Sequence, residues 1–418
     1  METVTQRPGT TRTRPPAHGL SRGRHVQLIV VLGSLIALGP LTIDMYLPAF
    51  PQLADELDAS AASVQLTLTG MLGGLAFGQL VIGPLSDAFG RRRPLLAGLV
   101  VHALASLLCA VAPNIAVLSV VRVLQGFAGA AISVVALATV RDLFSGVAVA
   151  RTMSRLMLVI GLAPIVAPSI GGFILQVTDW RGIFFVLAGA AVVLIGVALV
   201  GLRETLPVER RRSARVGATL RTYRSLLSDR TFVALVLVAG LSFSSLFVYV
   251  SGASFVLQEG FGLDARTFGL VFGANSAALT IASQLNPTLI RRFGPANVLT
   301  GAILVSMAAA VALLVAGLAG GGLVTVLVPL MVVLASAGLA MPNTPALALN
   351  RHGEAAGTAS AMLGCVQFGV GALVAPLVGV LGSTTAAPMG AVMLTVTGLA
   401  ALLMFAVVRR DPTVQAVR

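Results

Sequence analysis

Lysine is absent from this chain. All 28 basic side chains are therefore arginine, set against 15 carboxylates for a formal net charge of +13. Without lysine there can be no Gly-Lys-Ser/Thr phosphate loop, so ATP hydrolysis by that route is excluded. Charge of either sign is scarce at 10% of residues, whereas a soluble globular chain carries about a quarter. Cysteine is limited to Cys109 and Cys365, too few and too far apart for a disulfide framework or metal-ligand spacing; both read as small buried residues. The four histidines are unclustered, and His102 and His352 read as satisfied or solvated. An HExxH helix, a serine-nucleophile elbow and a pair of intramembrane aspartates are all missing, which argues against a membrane-embedded enzyme. No catalytic residue, metal or cofactor is expected.

What the chain has instead is apolar length: 57% of residues are hydrophobic, and they come in blocks rather than in the alternation of barrel strands. At about 20 residues per spanning helix, the blocks predict twelve spans, near 26–50, 63–83, 94–112, 115–139, 153–175, 182–202, 231–257, 267–289, 296–317, 321–341, 357–381 and 386–408. The division within 300–340 rests only on "GLAGGG". This is an all-α polytopic membrane protein. Alternate connections differ in charge: one set carries Arg91 to Arg93, Arg141, Arg151, Arg291, Arg292 and Arg351, the other only Arg181 and Arg266. Arginine kept to one side sets orientation, so both termini are expected in the cytoplasm and a nucleic-acid partner is not needed to explain the charge. Residues 1–25 read as a disordered basic cytoplasmic tail without a cleavable-signal layout, and 409–418 as a second tail. The polar stretch 203–230 reads as a cytoplasmic linker between six-helix halves at 26–202 and 231–408. An internal echo, "SDAFGRRRP" after span two and "LIRRFGPAN" after span eight, fits two related halves; the second copy lacks the aspartate.

Three stretches carry mechanism. In "GPLSDAFGRRRP" (83–94), Gly83 and Gly90 permit a tight reversal, and Asp87 stands where it can cap a facing helix or pair with Arg91 or Arg141. "LSVVRVLQGFAGAA" (118–131) places Arg122, then Gln125 and Gly126, inside span four. "GLAPIVAPSIGGFIL" (161–175) combines Pro164 and Pro168 with Gly161, Gly171 and Gly172, a bendable and closely packing helix. The first resembles the signature loop of the major facilitator superfamily, the second the fourth-helix motif of its proton-coupled members, and the third the fifth-helix motif of its drug antiporters, here with alanines before the prolines. The superfamily's layout is two parallel six-span halves in pseudo-twofold arrangement. With "LGPLTIDMYLPAFP" (38–51), "RDLFSG" (141–146) and "AGTASAMLGCVQFGVGAL" (356–373), the whole chain is similar to the Bcr/CflA branch of drug:proton antiporters. The resemblance implies export of bicyclomycin- or chloramphenicol-like lipophilic compounds, some of them monocationic, from the cytoplasmic membrane by alternating access, by a monomer in contact with lipid.

Asp44 and Arg122 are the charges placed well inside spans, opposite in sign and, at 1.5 Å per residue, both about 10 Å from the outer boundary. A charged side chain at the centre of a span costs about 2.5–3.5 kcal/mol on insertion scales, so such residues are usually functional. A carboxyl at Asp44 can carry a proton whose release responds to the occupant of a cavity and to Arg122. Two plainer readings stand beside this: Arg122 snorkels to the outer interface, or Asp44 is only a structural partner. Some drug antiporters carry another acid two turns earlier; Ile36 stands there, so the resemblance implies a single-carboxylate cycle. Tyr46, Gln65, Gln125, Met157, Phe247, Tyr249, Asn275 and Gln367 are further cavity candidates, each a polar or soft group in an apolar span, and each also explicable as an interhelical contact. A facilitator for one small metabolite is the alternative, although that would call for a denser polar lining.

Overall fold

The computed structural model describes residues 22–144, 147–211, 216–350, 352, 355–382 and 384–415. Among them are twelve helical segments long and apolar enough to cross a membrane: α1 (Arg22–Asp44), α2 (Ala61–Phe89), α3 (Arg92–Ala110), α4 (Ile115–Leu143), α5 (Val147–Ile174), α6 (Trp180–Gly201), α7 (Arg230–Ser254), α8 (Ala265–Phe293), α9 (Pro295–Leu318), α10 (Leu323–Leu349), α11 (Ala356–Val374) and α12 (Ala386–Ala406). Most of the tail at 1–25, Ser145, Gly146, part of the linker and Arg351 lie outside the described residues. The boundaries follow local chemistry. Ser60, Asn114, Asp179, Asp229 and Asp264 each accept a first-turn backbone N–H and so start α2, α4, α6, α7 and α8. Gly90 (φ +90°) ends α2 and Gly294 (φ +76°) ends α8, so the two echoing sequence stretches make equivalent turns. Gly320 (φ +64°) reverses the chain between α9 and α10, confirming the division that rested on "GLAGGG". The linker holds a helix, Val216–Ser228, whose Tyr223 and Leu226 pack under the second half.

Helices α1–α6 and α7–α12 form two bundles that meet through α5 against α8 and α2 against α11. The core is asymmetric along the bundle axis. One apolar cluster runs through the first half and continues across the interface into Phe247–Leu257, Phe268, Phe272, Leu313 and Val326–Leu334. A separate cluster, including Phe232, Leu235, Leu299, Ile303, Leu347, Leu363 and Met404, occupies the second half at the arginine-rich end. The halves therefore share a core at one end and keep separate cores at the other. Phe173, Val192, Val193, Leu270, Leu318 and Leu402 lie exposed on the periphery, apolar surface that lipid covers in a protein of this kind.

Candidate functional site

Asp44 ends α1 because two prolines stand just beyond it. Pro48 has no N–H for the carbonyl of Asp44, and Pro51 has none for that of Leu47, so the helical ladder breaks here. The chain passes through a short 3-10 turn, Leu47–Ala49, before a helix resumes at Phe50–Glu56. The Leu47 carbonyl, which the 3-10 turn pairs with the Phe50 N–H, also accepts the Ser254 hydroxyl of α7 at 2.7 Å, and the Pro48 carbonyl accepts Gln258 Nε2 at 3.2 Å. The break is thus stitched to the other half. Asp44 is 4% exposed and makes no hydrogen bond or ion pair among the described residues. Its carboxyl lies within electrostatic range of Tyr249 on α7; Tyr249 accepts from Asn275 Nδ2 at 3.3 Å and stacks on Phe272 at 4.7 Å.

Arg122 is brought against α1 by the crossing of α2 and α4. Gly70, Gly74 and Gly78 lie one turn apart on α2, and an added Cβ at Gly74 would strike the Val123 carbonyl, so the backbones touch. Arg122 is completely buried. Nη1 donates to Gln125 Oε1 at 2.7 Å and to the Thr42 carbonyl at 3.2 Å. The guanidinium carbon lies 4.8 Å from the Tyr46 ring centroid and 5.8 Å from that of Phe184, a cation–π arrangement. Nε and Nη2 have no hydrogen-bond partner among the described residues. Arg122 and Asp44 are therefore neighbours through Thr42, but they do not form an ion pair.

At the arginine-rich end, Arg91 Nη1 donates to Asp87 at 2.6 Å and to Ser86 at 2.7 Å, and Nε donates to Asp142 at 2.8 Å. Partial burial lowers the Arg91 pKa, but the two carboxylates outweigh it and hold it above its usual value. Arg141, the other arginine expected beside Asp87, is exposed; the next residue, Asp142, is the one that reaches the loop, and it pairs with Arg91 instead. Asp87 is half exposed and, among the described residues, caps no helix of the facing half, where Asp229 and Asp264 cap α7 and α8. Glu204 accepts the N–H of Arg91 at 2.8 Å and of Arg92 at 3.2 Å, and also those of Thr205 and Leu206. Burial pushes its carboxyl up, yet the four backbone donors win and hold it below the usual value. An added Cβ at Gly90 would meet this carboxylate.

On α5 the motif glycines mark close approaches. Gly161 O accepts Thr280 Oγ1 at 2.8 Å, and an added Cβ on Gly172 would lie 2.6 Å from the Ala265 carbonyl of α8. Gly171 faces inward instead, where a Cβ would strike the Met45 carbonyl beside Asp44. Gln65 joins the halves directly, donating to Ser251 O at 3.2 Å and accepting from Gly379 N at 2.9 Å.

Residues 32–376 match the Major Facilitator Superfamily. The chain belongs to that superfamily. It is 40% identical over 394 residues to the uncharacterized MFS-type transporter YdgK of Bacillus subtilis, covering 93% of this chain and 97% of the relative. It is 34% identical over 361 residues to the bicyclomycin resistance protein homolog of Haemophilus influenzae, covering 86% and 91%, and 29% identical over 282 residues to the multidrug resistance protein MdtL of Klebsiella pneumoniae, covering 67% and 71%. Among solved structures, a bacterial homolog of the human lysosomal transporter Spinster, inward-facing and occupied, superposes with TM-score 0.75 at 13% identity, covering 94% of this chain and 99% of that one. A D-xylose-proton symporter superposes with TM-score 0.72 at 16% identity, covering 92% and 98%. The protein is thus a multi-pass membrane transporter with the major facilitator fold, and not an enzyme.

Within this facilitator the remaining candidates divide by location. Tyr249 and Asn275 are joined across α7 and α8 beside Asp44. Met157, half exposed, lies one turn from Gly161 on the face that meets α8. Phe247 packs with Phe243 and Phe368, and Gln367 next to them is part-buried. Tyr46 is enclosed under Arg122 with its hydroxyl 3.0 Å from Thr67, while Gln65 and Gln125 are consumed by the interhalf clamp and by Arg122. Sequence reasoning missed Asp142, Glu204 and Thr42, and read His102 only as satisfied or solvated; it is satisfied, by Thr42. Asp142 and Glu204 stand beside arginines in the sequence, but their contacts to the loop, like the place of Thr42 and His102, come only from helix packing.

Proposed function

We propose that this facilitator is a proton-coupled antiporter that exports lipophilic drugs of the chloramphenicol or bicyclomycin kind, including monocations, from the cytoplasm by alternating access. The observation that carries the reading is Asp44: a carboxyl without a hydrogen-bond partner among the described residues, at a break in α1, facing the second half where Tyr249 and Asn275 meet. A carboxyl so placed can exchange its proton as the site is opened to one side and then the other, with each charge moved across the membrane contributing about 2.3 kcal/mol per 100 mV. Arg122 sets the local field, and Met157, Phe247, Tyr249, Asn275 and Gln367 offer the soft, sparsely polar lining that broad specificity needs. The names of the bicyclomycin resistance and multidrug resistance relatives support the substrate class.

In this reading the arginine-rich end is cytoplasmic and both termini lie there, the halves span 26–202 and 231–408 with 203–230 between them, and the protein works as a monomer in lipid. The shared core, the hydrogen bonds accepted by the Leu47, Pro48 and Gly161 carbonyls and the Gln65 clamp close the outer end, so the conformation is closed to the periplasm. Gly83 and Asp87, which lie in the last turns of α2 and not in the reversal, with Gly90 and Arg91 in the turn that follows and Asp142, then gate the cytoplasmic end, and the α5 glycines form the hinge surface. Drug-induced proton movement in energised inverted vesicles tests the reading. Chloramphenicol or a cationic drug should dissipate the pH gradient in the wild type and not in Asp44→Asn, which should still insert in the membrane. Retained uphill export by Asp44→Asn would move the proton site elsewhere. If no drug moves protons in the wild type, transport of a single small metabolite replaces this reading.

A further inference from the structure

The proton-coupling reading does not use His102, which is buried to 1% exposure on α3 and belongs to a closed ring of hydrogen bonds. The direction of every bond in that ring can be assigned by counting donors. Thr42 Oγ1 spends its hydrogen on the Leu38 carbonyl at 2.6 Å. Its contact with His102 Nε2 at 3.0 Å is therefore a ring N–H donating to the hydroxyl. Ser106 Oγ spends its hydrogen on the His102 carbonyl at 2.8 Å, so it accepts Gln125 Nε2 at 2.8 Å. Gln125 Oε1 accepts Arg122 Nη1, whose other hydrogen goes to the Thr42 carbonyl. Three helices are joined in one loop: α1 by Thr42, α3 by His102 and Ser106, and α4 by Arg122 and Gln125. The Thr42 carbonyl lies in the last turn of α1, where helical donors run out; Arg122 replaces the missing donor, and His102 holds the same residue by its side chain. Asp44 is two residues further on.

We infer that His102 is a positioning residue, a neutral N–H donor that fixes the end of α1 and so holds the Asp44 carboxyl in the geometry from which it exchanges its proton. The inference rests on the proposed proton-carrying role of Asp44. The ring accounts for a histidine whose hydrogen bonds include no acidic partner among the described residues; it needs only the Nε2–H, because Nδ1 stands 3.5 Å from a Ser106 Oγ whose hydrogen is already spent, at the limit of a hydrogen bond. A histidine that itself carried the proton would need its imidazole to titrate; a positioning histidine needs only a donor at the Nε2 point. Glutamine offers an amide N–H at nearly that point, and alanine offers none.

The test uses the purified full chain in two measurements. In proteoliposomes, radiolabelled chloramphenicol is followed both uphill, driven by an imposed pH gradient, and in downhill exchange without one. Hydrogen exchange of the peptide spanning Leu41–Ala49 is read on the same samples. His102→Ala should lose about tenfold in uphill flux, the effect of one buried hydrogen bond near 1.4 kcal/mol, with downhill exchange retained and faster hydrogen exchange in that peptide. Thr42→Val, which removes the acceptor from the other side, should do the same, and the double variant should be no worse than either single one. His102→Gln should restore both readouts to the wild-type level. If His102→Gln is as defective as His102→Ala, the ring titrates and the positioning role is overturned; wild-type behaviour of His102→Ala in both measurements overturns it too. Retained uphill export by Asp44→Asn removes the proton-site assignment whatever the histidine variants do, and with it the carboxyl that His102 was inferred to position.

Discussion

Glu204 shows how one side chain can organise a turn from far along the chain. The loop after α2 leaves the first N–H groups of α3 without helical partners, and Glu204 supplies acceptors to two of them from beyond α6. Because its carboxyl is held below the usual value, its contribution is present in full at pH above the ordinary glutamate value and is lost as pH falls through the lowered folded one. Glu204 is largely exposed, so the contribution is about 1 kcal/mol after screening. Glu204→Ala should therefore speed hydrogen exchange at the Arg91 and Arg92 amides by roughly fivefold at neutral pH. The difference from wild type should disappear only in acid, below the normal titration of glutamate; an unchanged exchange rate at neutral pH would show that the loop is held by Arg91, Asp87 and Asp142 alone. Asp87 and Arg91 are legible as a pair in the sequence because they sit within one turn of each other. Glu204 and Asp142 are not, since each reaches the loop through the packing of another helix.

Between elements, backbone approach is the recurring device. α5 meets α8 where Gly172 faces Ala265, Gly269 faces Pro168, and Gly273 faces Ile165, so small residues alternate from one helix to the other. This seam joins the two halves at the end where their core is shared. A side chain at Gly172 has nowhere to go except by moving α8, and overpacking of this kind costs about 1–3 kcal/mol. Gly172→Val should weaken the packing at the end where the halves share a core and shift the population toward the state open there. Spin-label distances across the shared-core ends of α5 and α8 should lengthen or become bimodal in the variant; an unchanged distribution would mean the seam yields without opening. The α5 prolines and glycines mark such a helix in the sequence, because their composition is unusual for a plain lipid-facing span. Their division of labour was not legible: Gly171 faces the Asp44 break and Gly172 faces the other half, a difference that one residue of helical rotation makes and composition does not record.

At the scale of the whole molecule, the orientation expected from charge can be checked independently of transport. The twelve spans and the two echoing turns were readable, because apolar length and arginine placement are one-dimensional signals. The asymmetry of the core was not, since a span's composition does not say whether its outer or inner half touches the facing bundle. The arginine-rich turns after α2 and α8 and the linker helix share one end, the end that the positive-inside rule leads one to expect in the cytoplasm. Ala319 in the turn between α9 and α10 and Ser228 at the end of the linker helix are both exposed and stand at opposite ends of the bundle. With Cys109 and Cys365 replaced by alanine, a membrane-impermeant maleimide added to intact cells should label Ala319→Cys and leave Ser228→Cys unlabelled until the membrane is permeabilised. The reverse pattern would invert the protein, and with it the sense of transport: the end held closed by Leu47, Gln65 and the α5–α8 seam would then be the cytoplasmic one. Export driven by inward proton flow requires the first pattern, because the drug must enter from the side on which the halves keep separate cores.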